Sequence, residues 1–145
     1  MRQIKSDTQS NYEKDLYKWS KTQVNLLKKG DFSRADVDHI IEEIEDLGSS
    51  QRNALESQMI RLLMHMLKIA YQPQKHTKSW DKSIGNSRIE IEKIIRKNPS
   101  LKRELNNVMN DSYYYARKKA HVETRLDINI FPTDCPWSLK EVIAE

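Results

Sequence analysis

From Leu55 to Ala70 the apolar residues Leu55, Met59, Leu62, Leu63, Met66, Leu67 and Ala70 recur at intervals of three and four. Each residue of an α-helix turns the chain by about 100°, so this spacing gathers the side chains on one broad face. Such a face predicts a central member of a helical bundle. Only four prolines and three glycines interrupt the 145 residues, which favours long helices over a turn-rich β fold. The chain is therefore expected to be all-α, a compact bundle of about five helices with a short C-terminal helix after an irregular segment. Residues 1–10 read as a flexible N-terminus and 11–145 as a single helical bundle domain, long enough to bury one core.

Local signals place the elements. A first helix is expected from about Tyr12 to Lys29, with Leu16, Trp19, Val24 and Leu27 near one side and Gly30 supplying the left-handed residue that closes it. Asp36 can cap an acidic helix in which Val37, Ile40, Ile41, Ile44 and Leu47 form a buried stripe, ended by Gly48. Ser49 or Ser50 then caps the central helix, which must stop near Tyr71 or Gln72 because Pro73 follows. Ser79 is expected to cap a fourth helix carrying Trp80, Ile84, Ile91, Ile94 and Ile95. Asn98-Pro99 is a start signal for a fifth, running to about His121. The segment from Thr124 to Trp137 reads as extended or irregular, pinned by Phe131 and Trp137, and Ser138-Leu139-Lys140-Glu141 fits a capping box.

Charge is segregated along the chain. Residues 31–57 hold eight acidic side chains against two basic, a balance of −6, whereas residues 61–103 hold eleven basic against three acidic, a balance of +8. This pattern suggests a macromolecular partner, either another protein or a second copy of the chain. Lys75, His76, Lys78, Trp80 and Lys82 are the expected binding residues for that partner, and the basic region 75–103 offers a further reading as a nucleic-acid-binding surface. No apolar run approaches the roughly twenty residues that span a bilayer, so no membrane role is expected. The single cysteine, Cys135, excludes an intrachain disulfide and fits a reducing cytoplasm; its expected role is packing beside Trp137.

The histidines are the side chains best placed for chemistry. His39 lies three residues before Glu42 and four before Glu43, so one helix side could carry an imidazole and a carboxylate suited to a metal. The Glu-x-x-His pairs of di-iron bundles are missing, and neither a metal nor any other cofactor is expected. Arg61 and His65 on the central helix are the catalytic candidates: the histidine would move a proton and the arginine stabilise phosphate charge. Their arrangement is similar to that of helical RNases with an arginine and a histidine on one helix, although fewer residues separate them here. Arg117 and His121 repeat the spacing. An RNase or metal-assisted hydrolase centred on His65 is thus the enzymatic alternative.

Several segments together resemble the bacterial family called domain of unknown function 29. They are Tyr12-Glu13-Lys14-Asp15 with Trp19, Ile41 to Gly48, Leu62 to Lys68, Tyr71-Gln72-Pro73, Ser79-Trp80, Asn98-Pro99-Ser100-Leu101, Phe131-Pro132 and Cys135-Pro136-Trp137. The resemblance implies a single all-helical domain and no assigned reaction. The expected function is that of a non-enzymatic helical interaction module presenting segregated acidic and basic surfaces.

Overall fold

A computed structural model describes residues 11–144; the stretch 1–10, expected to be flexible, lies outside the described residues. The helices are α1 (Leu16–Lys28), α2 (Val37–Tyr71), α3 (Lys78–Lys97), α4 (Leu105–Thr124) and α5 (Leu139–Ile143). Short 3-10 turns occupy Pro73–Lys75, Pro99–Glu104 and Ile128–Ile130, and residues 11–14 form one helical turn. No β-strand occurs among the described residues, so the all-α expectation holds. Residues divide into two units, Met1–Ser49 and Ser50–Glu145.

In the first unit, the Asp15 carboxylate accepts the Lys18 N–H at 3.0 Å and so caps α1. Its far end closes on Gly30, whose φ of +71° is the left-handed conformation that lacks a Cβ penalty. There the Gly30 N–H bonds to the Leu27 carbonyl at 3.0 Å and the Asp31 N–H to the Leu26 carbonyl at 2.9 Å, the paired bonds of a Schellman motif. The Asp36 carbonyl accepts the Ile40 N–H at 3.0 Å as α2 begins.

The two helices expected on either side of Gly48 are one. α2 runs 35 residues without a break, with Gly48, Ser49 and Ser50 inside it. A glycine in a helix interior costs about 1 kcal/mol, whereas a break would orphan backbone groups on both sides of the gap. Gly48 does not take the positive φ that would turn the chain, and no proline stands nearby to force an end.

The second unit contains the apolar core. Leu55, Met59, Leu62, Leu63 and Leu67 of α2 are all fully buried, and Ile91 of α3 packs with Leu105, Val108, Met109, Tyr113, Ala116 and Ala120. Five of the seven residues inferred from periodicity form this core face, while Met66 is half-buried, Ala70 is exposed, and Met64, outside the inferred set, is buried. Thr77, not Ser79, caps α3 by accepting the Trp80 N–H. At the other end of α3 the Asn98 amide donates to the Ile94 carbonyl and to Gln51 Oε1, both at 3.0 Å. Pro99 opens the next segment as expected, but as a 3-10 stretch before α4 begins, and α4 closes on Arg125 at a φ of +61°.

The C-terminal segment is tied to this core by both apolar and polar contacts. Phe131 is buried with its ring edge-on to Tyr71 at 5.5 Å, and the half-buried Trp137 packs against the same cluster. Arg117 donates to the Ile128 carbonyl at 3.0 Å and the Phe131 carbonyl at 3.1 Å. Tyr113 donates to the Pro132 carbonyl, and His121 to the Leu126 carbonyl at 2.6 Å. From α3, Arg88 reaches the Val142 carbonyl at 2.9 Å. Outside its short 3-10 turn an irregular segment leaves carbonyls without a backbone partner, and these donors take up several of them. Both halves of the capping box at Ser138 and Glu141 are formed, starting α5.

Candidate functional site

The first unit is built around a buried carboxylate. Asp36 is 1% exposed, and its Oδ2 accepts from Trp19 Nε1 at 3.0 Å and from His39 Nδ1 at 2.7 Å. Its backbone N–H donates to Gln23 Oε1 at 2.7 Å. Tyr12 stacks on the His39 ring at 3.9 Å, meets Trp19 edge-on at 4.9 Å, and donates its hydroxyl to Glu43 Oε1 at 2.7 Å. Removing a carboxylate from water is costly unless donors replace the lost hydration; Trp19 and His39 are the donors to Oδ2, while Oδ1 has no partner among the described residues. The bond to Asp36 raises the His39 pKa above its usual value, against the opposing effect of desolvation. The bond to Glu43 pushes the Tyr12 hydroxyl up to about 12, helped by burial and by the neighbouring acids. Asp36 therefore orients two rings where a simple helix cap was expected.

Around this small polar centre the apolar residues face outward. The stripe of Val37, Ile41, Ile44 and Leu47, expected to be buried, is exposed, with Ile44 62% accessible. Leu16, Val24 and Leu27 of α1 are exposed too, and of the four α1 residues expected near one side only Trp19 is buried. Ile40 is half-buried. A groove of about 530 Å³ runs between Trp19, Val24 and Leu27 of α1 and Ile40, Ile44 and Leu47 of α2, with Glu43 and Asp46 in its lining. Buried residues of this unit are Trp19, Ala35, Gln23 and Asp36, so its apolar side chains cover solvent-facing surface instead of filling a core.

The metal candidates are engaged with other side chains or face solvent. His39 is turned to Asp36 and Glu43 holds Tyr12, while Glu42 is exposed. Among the described residues no three His, Cys, Asp or Glu side chains gather as a ligand set. Arg61 and His65 line a shallow groove with Ser57, Gln58, Lys119 and Glu123, but His65 Nδ1 donates to the Arg61 carbonyl one turn earlier at 2.8 Å. The second such pair, Arg117 and His121, is occupied with the carbonyls of residues 126–131.

In the basic region, His76 Nε2 donates to Asp81 at 2.7 Å and its ring stacks with Trp80 at 6.2 Å. The Lys68 ammonium sits 4.4 Å from the Trp80 ring centre and bonds Glu123 at 2.8 Å. Trp80 thus already stacks within the chain, and Lys75, Lys78 and Lys82 remain exposed. Cys135 packs against the core, donates to the Trp137 carbonyl, and is pushed up in pKa by burial. Of the three adjacent tyrosines, Tyr113 is buried and Tyr114 and Tyr115 are exposed, as helix geometry requires. What sequence reasoning missed was the joint role of Tyr12, Gln23 and Asp36, whose only local signal was a polar or aromatic residue interrupting the apolar pattern.

Among the described residues no helix is long and apolar enough to cross a membrane. Fold and surface together define a small all-α protein with one polar-centred and one apolar-cored helical unit. The chain belongs to the family described as Domain of unknown function DUF29, whose profile matches residues 11–145. No curated protein and no solved structure matches it.

Proposed function

We propose that the chain is a helical interaction module that engages a macromolecular partner through the apolar face of its first unit. The surrounding acidic and basic side chains select the partner and steer its approach. The exposure of Leu16, Val24, Leu27, Val37, Ile41 and Ile44 on adjacent helices carries this reading. Scattered exposed leucines are ordinary, but a contiguous apolar surface rimmed by charge is the composition of a docking site. The buried Asp36 network fixes the two helices that display it, so the surface is presented preformed and little ordering cost accompanies binding. Nothing comparable supports the alternatives: His65 is engaged with its own helix, and Trp80 is stacked within the chain. A lone half-buried thiol supports the reducing cytoplasm as the place of action.

The test is site-specific photocrosslinking in cells. A photoreactive residue in place of Ile44 is expected to give a discrete macromolecular adduct, and one in place of the exposed Lys93 on α3 none. Equal labelling from both positions, or none from Ile44, would remove the reading.

A further inference from the structure

We infer that the occupant of this apolar face is a second copy of the same chain, related by a two-fold axis through the middle of the face. The inference rests on the interaction-module reading and names its partner.

The face carries its own complement. On a helical wheel of α1, the arc leading away from the buried Trp19 runs from Leu16 and Leu27, about 60–80° from it, through Val24 to Lys28 and Lys21 on the opposite side. On α2, the side away from Asp36 and His39 runs from Ile44 and Val37 through Ile41 to Glu45 and Asp38. One rim of the face is therefore basic and the other acidic. Over their lengths the segregation is complete: Leu16–Lys28 contains three lysines and no acid, and residues 37–47 contain five acids and no lysine or arginine. A two-fold axis lying in the plane of the face and directed along the helices lays apolar surface on apolar surface and sets the basic rim of each copy, Lys21 and Lys28, against the acidic rim of the other, Asp38 and Glu45. Such an isologous pairing closes on itself, so it yields a dimer and no filament. A purely acidic or purely basic partner would match one rim and oppose the other; a second copy matches both.

Size is adequate for a reversible dimer. The six apolar side chains named above are each 40–62% exposed, which amounts to on the order of 500 Å² per copy before the rim side chains are added, near the small end of specific interfaces. An interface of that size fits a dissociation constant in the micromolar range.

Sedimentation velocity over a concentration series tests this on the full chain. The wild type is expected to pass from monomer near 1 µM to dimer near 100 µM, as a constant of about 10 µM requires. Leu27→Glu/Ile44→Glu is expected to stay monomeric throughout with unchanged helical circular dichroism, since both positions are exposed. Lys21→Glu/Lys28→Glu and Asp38→Lys/Glu45→Lys should each lose dimer when alone and regain it when mixed. A wild type that is monomeric at about 300 µM, thirty times the expected constant, or a dimer untouched by Leu27→Glu/Ile44→Glu, would overturn the inference. If the wild type is monomeric while a photoreactive residue at Ile44 captures a different macromolecule, the second-copy inference falls and the module reading stands.

Discussion

Replacing Trp19 by Phe isolates the bond that organises the first unit. The substitution keeps most of the buried ring but deletes the indole N–H that donates to Asp36 Oδ2 at 3.0 Å. A hydrogen bond to a charged group contributes about 1.5–3 kcal/mol, and the acceptor here is left behind in a site 1% exposed. His39 still donates to the same oxygen, which limits the loss, so a cost of about 2 kcal/mol is expected. Because the unit has few buried residues, the effect should be local. Hydrogen exchange read by mass spectrometry reports local opening directly. Amides of Leu16–Lys28 should exchange about 30-fold faster, the factor corresponding to that energy, while those of α4 around Met109–Ala116 stay unchanged. If α1 amides change less than about two-fold, roughly 0.4 kcal/mol, the Asp36 network does not hold the unit together.

Further outcomes follow from the same structure. His39 has a folded pKa raised above its unfolded value, so its bond to Asp36 stabilises fully below the unfolded value and the contribution is lost as pH rises through the folded one. Protection of α1 should therefore fall as pH rises above the ordinary histidine value of about 6.5, and His39→Gln should abolish that slope; a wild type with flat protection factors would contradict it. Phe131→Ala empties a site 1% exposed and should cost about 3–5 kcal/mol in urea denaturation; a cost below about 1 kcal/mol would mean that the C-terminal segment is not docked. Gly48→Ala adds a Cβ that meets nothing within 4 Å inside a helix and should stabilise by up to about 1 kcal/mol. Destabilisation on that change would show that the helix breaks at Gly48.

Elements specified by short-range chemistry were legible in the amino-acid sequence. The core face of residues 55–67 follows from a regular period, the Ser138–Glu141 box from two reciprocal bonds within one turn, and the Gly30 stop from a single backbone requirement. Gly48 misled because glycine is only a modest cost in a helix, and its neighbours decide whether the ladder continues. The stripe from Val37 to Leu47 misled for a different reason: periodicity shows which side of a helix is apolar, not whether anything covers it. Arg117 and His121 looked like a possible catalytic pair by spacing, yet their partners are carbonyls of the C-terminal segment, which no helical pattern announces. The Asp36 cluster joins side chains from Tyr12 to Glu43, and only folding brings them together.

Urea denaturation of Ile44→Glu, at a protein concentration too low for association, asks most simply whether the outward apolar face is surface or core. At a position 62% exposed, a buried charge is not created, and the midpoint should match the wild type within about 0.5 kcal/mol. A loss of about 3 kcal/mol or more, the usual consequence of placing an unpaired charge in a packed interior, would show that Ile44 is a core residue and that the face is not available to a partner.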